Sequence, residues 1–261
     1  MVIGLPQFQF HFAGLEECFI LIGGAACDLW LGDLGLPFRA TKDLDIVLIV
    51  ENIERHPEFY TQFWDFIRLG GYAGSHSGEE RKNLYRFEKP TQADFPVMIE
   101  LLSRNVLAVP VGVRIVRIPS GGDISSLSAI LLEPEYYAYV RACQITITSV
   151  PTIPASCLIP LKARAHLDLA QRSAGGDMKV KKDDIKKHRN DVFRLLLGIP
   201  PADRFTIPPT LQTDLRRFIA KFPPESEDWK TIRQAVKNLP GDTAAVLAQL
   251  RANFQLEAAL R

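Results

Sequence analysis

The apolar and polar positions alternate in two distinct regimes along the chain. Cys18 to Ile22 reads CFILI, a short buried strand that Gly23-Gly24 brings to an end. Ala25 to Leu34 then has the composition of a helix, with Leu29, Trp30 and Leu34 available for one apolar face. Asp43 to Val50 (DLDIVLIV) is the clearest strand, rich in β-branched residues and too short for a core helix. His56 to Leu69 predicts an amphipathic helix, since Phe59, Phe63, Phe66 and Ile67 recur at helical spacing. Gly70 to Gly78 reads as a Gly/Ser loop. Further strands are predicted over Asn83 to Phe87, Pro96 to Leu102 and Val109 to Ile118.

The second regime begins near Ala155. Leu158, Leu161, Ala165 and Leu169 mark one face of a helix, and Lys181 to Leu197 predicts a second. Three shorter helices follow, separated by Pro200-Pro201, Pro208-Pro209, Pro223-Pro224 and Pro240-Gly241. Strands first and helices only afterwards imply an α+β chain with a helical C-terminal domain. The expected division is 1–152 and 153–261, because two prolines bracket Thr152 and Ile153 there.

Composition narrows the classes. The 261 residues are 47 % hydrophobic and 23 % charged, enough apolar material for packed cores. Thirty-one Lys and Arg oppose thirty Asp and Glu, so any basic binding surface must be local. Cys18, Cys27, Cys143 and Cys157 form no CxxC pair, which excludes the common zinc spacings and suits reduced thiols. No basic signal-peptide start precedes Glu16-Glu17, and no apolar run reaches membrane-spanning length. A cytoplasmic protein with no membrane partner is the expectation.

Candidate chemistry starts at Asp43-Leu44-Asp45. Residues two apart on a strand share a face, so the two carboxylates project together while Leu44 and Ile46 point the other way. Adjacent carboxylates repel unless a proton or cation intervenes, and hard oxygen donors favour Mg2+ or Mn2+. The plain alternative is a solvated strand end. Gly23-Gly24 lies between a strand and a helix, where backbone N–H groups can approach a phosphate; the alternative there is a tight turn. Glu100, in VMIELLS, is a charge inside an apolar strand and needs a cation, a salt bridge or an open edge.

Strand, Gly-Gly, helix, a strand bearing hDhDh, and a later strand with a third carboxylate together resemble the DNA polymerase beta-type nucleotidyltransferase superfamily. The resemblance implies a mixed sheet with flanking helices and a helical domain that completes a nucleotide cleft. It places Gly23 and Gly24 against the phosphates of an NTP, and gives Asp43, Asp45 and Glu100 both catalytic and metal-binding roles. The reaction implied is transfer of a nucleoside monophosphate to a hydroxyl. The gap from Gly24 to Asp43 exceeds the superfamily's commonest spacing, and the third acid is Glu rather than Asp. That longer gap and the Arg39-Ala40-Thr41-Lys42 lead resemble the AbiEii/MenT-like branch, the toxin side of bacterial toxin–antitoxin systems. The branch implies a tRNA or other RNA 3′ end, or a protein, as acceptor, and a cognate antitoxin as partner.

The branch also carries a triphosphate-contacting lysine that opens a helix of the second domain. Lys162, in PLKARAHLDLAQR, matches it. On the next helix, KKDDIKKHRNDVFRL, Asp191 matches the second acid of the branch's paired element as a nucleotide-binding residue. His188 stands where the first acid is expected, and Asp184 is a substitute candidate. Seven basic and three acidic residues between Lys179 and Arg194 read either as a solvated face or as a guide for phosphates. His166, one turn after Lys162, is a further candidate for facing nucleotide. Three alternatives stay open: an antibiotic-type nucleotidyltransferase acting on a small molecule, a silent nucleotide- or partner-binding protein of the same fold, and a metal-dependent nuclease. The nuclease accounts for neither Gly-Gly nor Lys162.

Overall fold

In the computed structural model, which describes residues 2–77, 83–103, 115–117 and 133–256, the chain divides into two compact units. One comprises Met1–Leu132 and Cys143–Pro154; the other comprises Glu133–Ala142 and Ala155–Arg261. The architecture is α+β.

The first unit is organised by the alternation that the DLD segment predicts. Strand β1 (Phe19–Ile22) is buried throughout, helix α2 (Gly23–Asp33) follows it, and strand β2 spans Asp43–Leu48. Leu44 and Ile46 are almost wholly buried whereas Asp43 and Asp45 are half-buried. Beyond Ile46, Val47 and Leu48 are both buried, so only the first half of β2 presents a polar face. A one-turn helix α3 (Val50–Ile53) and helix α4 (Glu58–Gly70) lead on to strands β3 (Ala73–Ser77), β4 (Asn83–Glu88), β5 (Met98–Ser103) and β6 (Ile115–Arg117).

These six strands form one mixed sheet in the order β1-β2-β5-β4-β3-β6. The β2–β5 and β3–β6 pairs are parallel and the others antiparallel. A two-stranded hairpin, β7 (Ile145–Ile147) and β8 (Val150–Thr152), also belongs to this unit, and the Thr152 hydroxyl donates to the carbonyl of Leu21 at 3.0 Å. The reading of 70–78 as a loop is corrected over 73–77, where Ala73 to Ser77 pair with Glu88 to Leu84; Gly78 lies outside the described residues. Backbone pairing between two neighbouring strands holds this segment extended, which its Gly/Ser composition does not announce. Of the strand expected over 109–118, residues 115–117 are observed and 109–114 and 118 lie outside the described residues.

One sheet face carries Leu44, Ile46, Leu48, Tyr85, Phe87, Ile99 and Leu101, and these belong to an aromatic-rich core with Phe8, Phe12, Phe59, Phe63 and Phe66. Phe8 comes from helix α1 (Leu5–His11), which the sequence pattern left unassigned, and Phe12 is the residue that ends it. Seven residues are too few to establish a period, and its entry is set by Gly4 at φ 76° with Pro6 in the first turn. Phe8 meets Phe12 at 4.4 Å between centroids and Phe66 edge-on at 5.4 Å. Contacts of this kind contribute about 0.5–1.5 kcal/mol each beyond area burial.

The second unit is helical: α5 (Pro134–Ala142), α6 (Ala155–Ala174), α7 (Lys182–Leu196), α8 (Pro209–Ala220), α9 (Asp228–Ala235) and α10 (Thr243–Asn253). Leu158, Leu161 and Ala165 of α6 are buried with Val192 and Phe193 of α7 and Leu215 and Phe218 of α8. Pro160 sits inside α6 and cannot donate to the Ser156 carbonyl; the Tyr139 hydroxyl of α5 reaches that oxygen at 3.4 Å. Helix α5 is held further by Tyr136, which donates to buried Asp214 at 2.9 Å, while Arg164 binds Glu133 at 3.0 Å. The expected division at 152/153 lies two residues before the one at Pro154/Ala155, and α5 belongs with the helices.

Candidate active site

Three registers align one row of residues across the sheet: Ile22 opposite Asp45, Asp45 opposite Glu100, and Glu100 opposite Arg86. Residues directly opposite share a face, and neighbouring strands lie about 4.8 Å apart. Asp45, Glu100 and Arg86 therefore stand side by side on the face opposite the aromatic core, and Asp43 joins them by the period of two. All four come from the ends or middles of apolar strands, whose backs are buried and leave them nowhere else to point.

Glu100 is only 2 % exposed. Arg86 grips one of its oxygens, with Nε at 2.8 Å and Nη2 at 2.5 Å from Oε1. The other oxygen, Oε2, is buried without a hydrogen-bond partner among the described residues. A buried carboxylate oxygen left unmatched costs on the order of 1–3 kcal/mol or more, and such atoms are uncommon in native proteins. Arg86 was not singled out by sequence reading. Its signal was available: a lone arginine between Tyr85 and Phe87, on the polar phase of a strand whose other phase is aromatic.

The glycine pair meets this row. Gly23 has φ +69°, and a Cβ built there would fall 1.7 Å from Oδ2 of Asp45. The turn and the carboxylate occupy neighbouring space that only glycine leaves open. A Cβ on Gly24 would meet Oγ1 of Thr41 at 2.7 Å and Nη2 of Arg39 at 3.7 Å. The Arg39-to-Lys42 lead thus folds back over the start of α2. The Arg39 guanidinium rests 5.0 Å above the Phe38 ring, and no side chain of Ile22 caps the first amides of α2. Backbone amides, a hydroxyl, a guanidinium and a carboxylate row are thereby gathered at one end of the sheet.

Among the described residues, no three His, Cys, Asp or Glu side chains form a ready-made metal cage. The donors nonetheless suit a hard divalent cation: two half-buried aspartates on one strand face and an unmatched buried carboxylate oxygen in the next strand. A cation among them would offset the mutual repulsion of neighbouring carboxylates.

In the helical unit, Lys162 and Asp191 meet. Nζ lies 3.6 Å from Oδ2 of Asp191, with Lys162 1 % and Asp191 0 % exposed. Oδ1 of the same aspartate accepts from Arg194 at 2.7 Å. Asp184 is paired with Lys187 at the surface, 2.9 Å apart. Lys181, Lys182, Lys186 and Lys187 are exposed, as expected of a solvated face. His166 is buried: its Nδ1 hydrogen-bonds the Ile185 carbonyl at 3.0 Å, and Phe218 and Phe222 flank its ring. Burial holds its pKa below the usual histidine value. None of the four cysteines is in a disulfide, and burial pushes the Cys18 thiol up to about 12, which leaves it unreactive.

No family model matches the sequence, and comparison with curated proteins finds no match. Among solved structures, the chain is similar to an antigenic nucleotidyltransferase-like protein from Paracoccidioides brasiliensis at 15 % identity, covering 97 % of this chain and 91 % of that one, with a TM-score of 0.41. It is also similar to MenT4, a nucleotidyltransferase toxin from Mycobacterium tuberculosis, at 17 % identity over 99 % of this chain and 84 % of that one, TM-score 0.34. A third similarity is to the antibiotic-resistance factor ANT(2'')-Ia, at 12 % identity over 72 % and 80 %, TM-score 0.33.

Proposed function

We propose that the chain is a metal-dependent nucleotidyltransferase that moves a nucleoside monophosphate from an NTP to a hydroxyl. The observation that carries this reading is the meeting of Gly23 with the carboxylate of Asp45, in register with Glu100. A phosphate at the α2 N-terminus would lie beside carboxylates able to hold its counter-cations, which is the adjacency that phosphoryl transfer needs.

In this reading Asp43 and Asp45 hold Mg2+ or Mn2+, and Oε2 of Glu100 completes the set. When bound, the cation polarises the phosphoryl oxygens and offsets the charge on the departing pyrophosphate. The alternative role for Glu100 is that of the general base that takes the proton of the attacking hydroxyl. Gly23 and Gly24 keep the approach to the phosphates clear of side chains, while Thr41 and Arg39 supply a hydroxyl donor and a cation beside them. Lys162 is the helical unit's phosphate-neutralising cation, and Asp191 orients it. The acceptor proposed from the motif resemblance is an RNA 3′ end such as that of tRNA, or a protein hydroxyl. The biological role proposed is that of a toxin with a cognate antitoxin, acting in the cytoplasm.

One observation favours a second reading. Arg86 already balances Glu100, so the chain is equipped to stay folded without metal, as a silent nucleotide-binding protein of this architecture would be. Calorimetry with a non-hydrolysable NTP separates the two. Mg2+-dependent binding that weakens about tenfold or more in Asp45→Asn supports the enzyme. Binding indifferent to Mg2+ and to Asp45 supports the silent binder.

A further inference from the structure

Resting on the reading of Asp43, Asp45 and Glu100 as a cation-holding row, we propose that Arg86 is an internal counter-cation that competes with the metal for Glu100. It is a positioning residue, acting through the carboxylate it grips.

β5 runs between β2 and β4, so Glu100 has Asp45 on one side and Arg86 on the other. Arg86 is 14 % exposed and Glu100 2 %, so water screens their attraction poorly. Nε and Nη2 both address Oε1, a two-donor grip that a point charge cannot reproduce. Oε2 is thereby the oxygen of Glu100 that remains unmatched among the described residues. A cation can take Oε2 as a single-oxygen ligand while Arg86 keeps Oε1, or displace the guanidinium and take both oxygens. In either case the fixed positive charge of Arg86 opposes the incoming one, and it lowers cation affinity until nucleotide phosphates arrive with compensating negative charge. Without Arg86, three neighbouring carboxylates would hold a cation tightly before nucleotide bound.

The test is titration of the full chain with Mn2+, following the electron paramagnetic resonance signal of the free ion. Thermal unfolding of each variant checks that it is folded. Arg86→Gln keeps a hydrogen-bond donor and removes the charge; it is expected to bind Mn2+ about tenfold more tightly than wild type. The gain should vanish when Glu100→Gln is added, because the competition is over that carboxylate. Arg86→Lys keeps a charge but loses the two-donor grip, and is expected to bind about threefold more tightly. It decides the matter if Arg86→Gln does not fold. Equal Mn2+ affinity in wild type and both Arg86 variants, with affinity lost in Asp45→Asn, overturns the competition and leaves the cation site standing. No Mn2+ binding by wild type or by either Arg86 variant, or unchanged binding in Asp45→Asn, overturns both.

Discussion

Oδ2 of Asp45 occupies the space where a side chain on Gly23 would begin, 1.7 Å from the Cβ that an alanine would place there. Two residues far apart in the sequence thus fix each other: the turn must be glycine because the carboxylate stands against it. The constraint is double, since φ +69° at residue 23 disfavours any Cβ irrespective of space.

Gly23→Ala is therefore expected to be costly for two reasons. The left-handed backbone contributes about 1–2 kcal/mol of destabilisation, and Asp45 must swing away. Denaturation should register the first effect. A loss of nucleotidyl transfer of roughly a hundredfold or more should register the second, in the manner of a displaced catalytic group. Gly24→Ala meets the hydroxyl of Thr41, which can rotate, so its effect should be several-fold smaller.

Buried Asp191 pairs with buried Lys162 and with partly buried Arg194, and its removal leaves these two cations without the carboxylate they share. Asp191→Ala should lower stability by about 3–5 kcal/mol in chemical denaturation. Lys162→Met should cost less, because Arg194 still answers the carboxylate. If Lys162 serves phosphate as proposed, Lys162→Met also raises KM for NTP by about tenfold in the protein that remains folded.

His166 gives the helical unit an acid-sensitive point. Its folded pKa is depressed by burial, so the unfolded chain takes up the proton first as pH falls. With more protons on the unfolded state, stability rises with pH. The contribution is fully present above the unfolded value of about 6.5 and is lost as pH drops through the window down to the lowered folded pKa. Urea midpoints for wild type should fall between pH 7.5 and pH 5, and a His166→Phe variant should show a shallower fall. A variant with the wild-type slope would assign the acid sensitivity elsewhere.

The strands that frame the site were legible because their apolar runs are short and bounded, and DLD declared its polar face through the period of two. Glu100 was legible as a charge in an apolar strand. Its partner was not, because Arg86 lies opposite it only through β4–β5 register, a long-range property that local pattern does not encode. Lys162 and Asp191 were each picked out separately, whereas their meeting depends on how α6 packs on α7. Helix α1 and the extended segment Ala73–Ser77 were missed for related reasons: one is too short for a period, and the other is held by its neighbours rather than by its own residues.

The central claim is that the Asp43/Asp45 row transfers a nucleotide. The most direct measurement is incubation of the full chain with each α-labelled NTP, Mg2+ and bacterial RNA or lysate, beside an Asp43→Ala/Asp45→Ala protein. Label is expected to move onto RNA or protein with wild type, chelation of Mg2+ to stop it, and the double variant to transfer about a thousandfold less. Equal labelling by wild type and the double variant would contradict it, as would failure of the wild type to transfer from any of the NTPs.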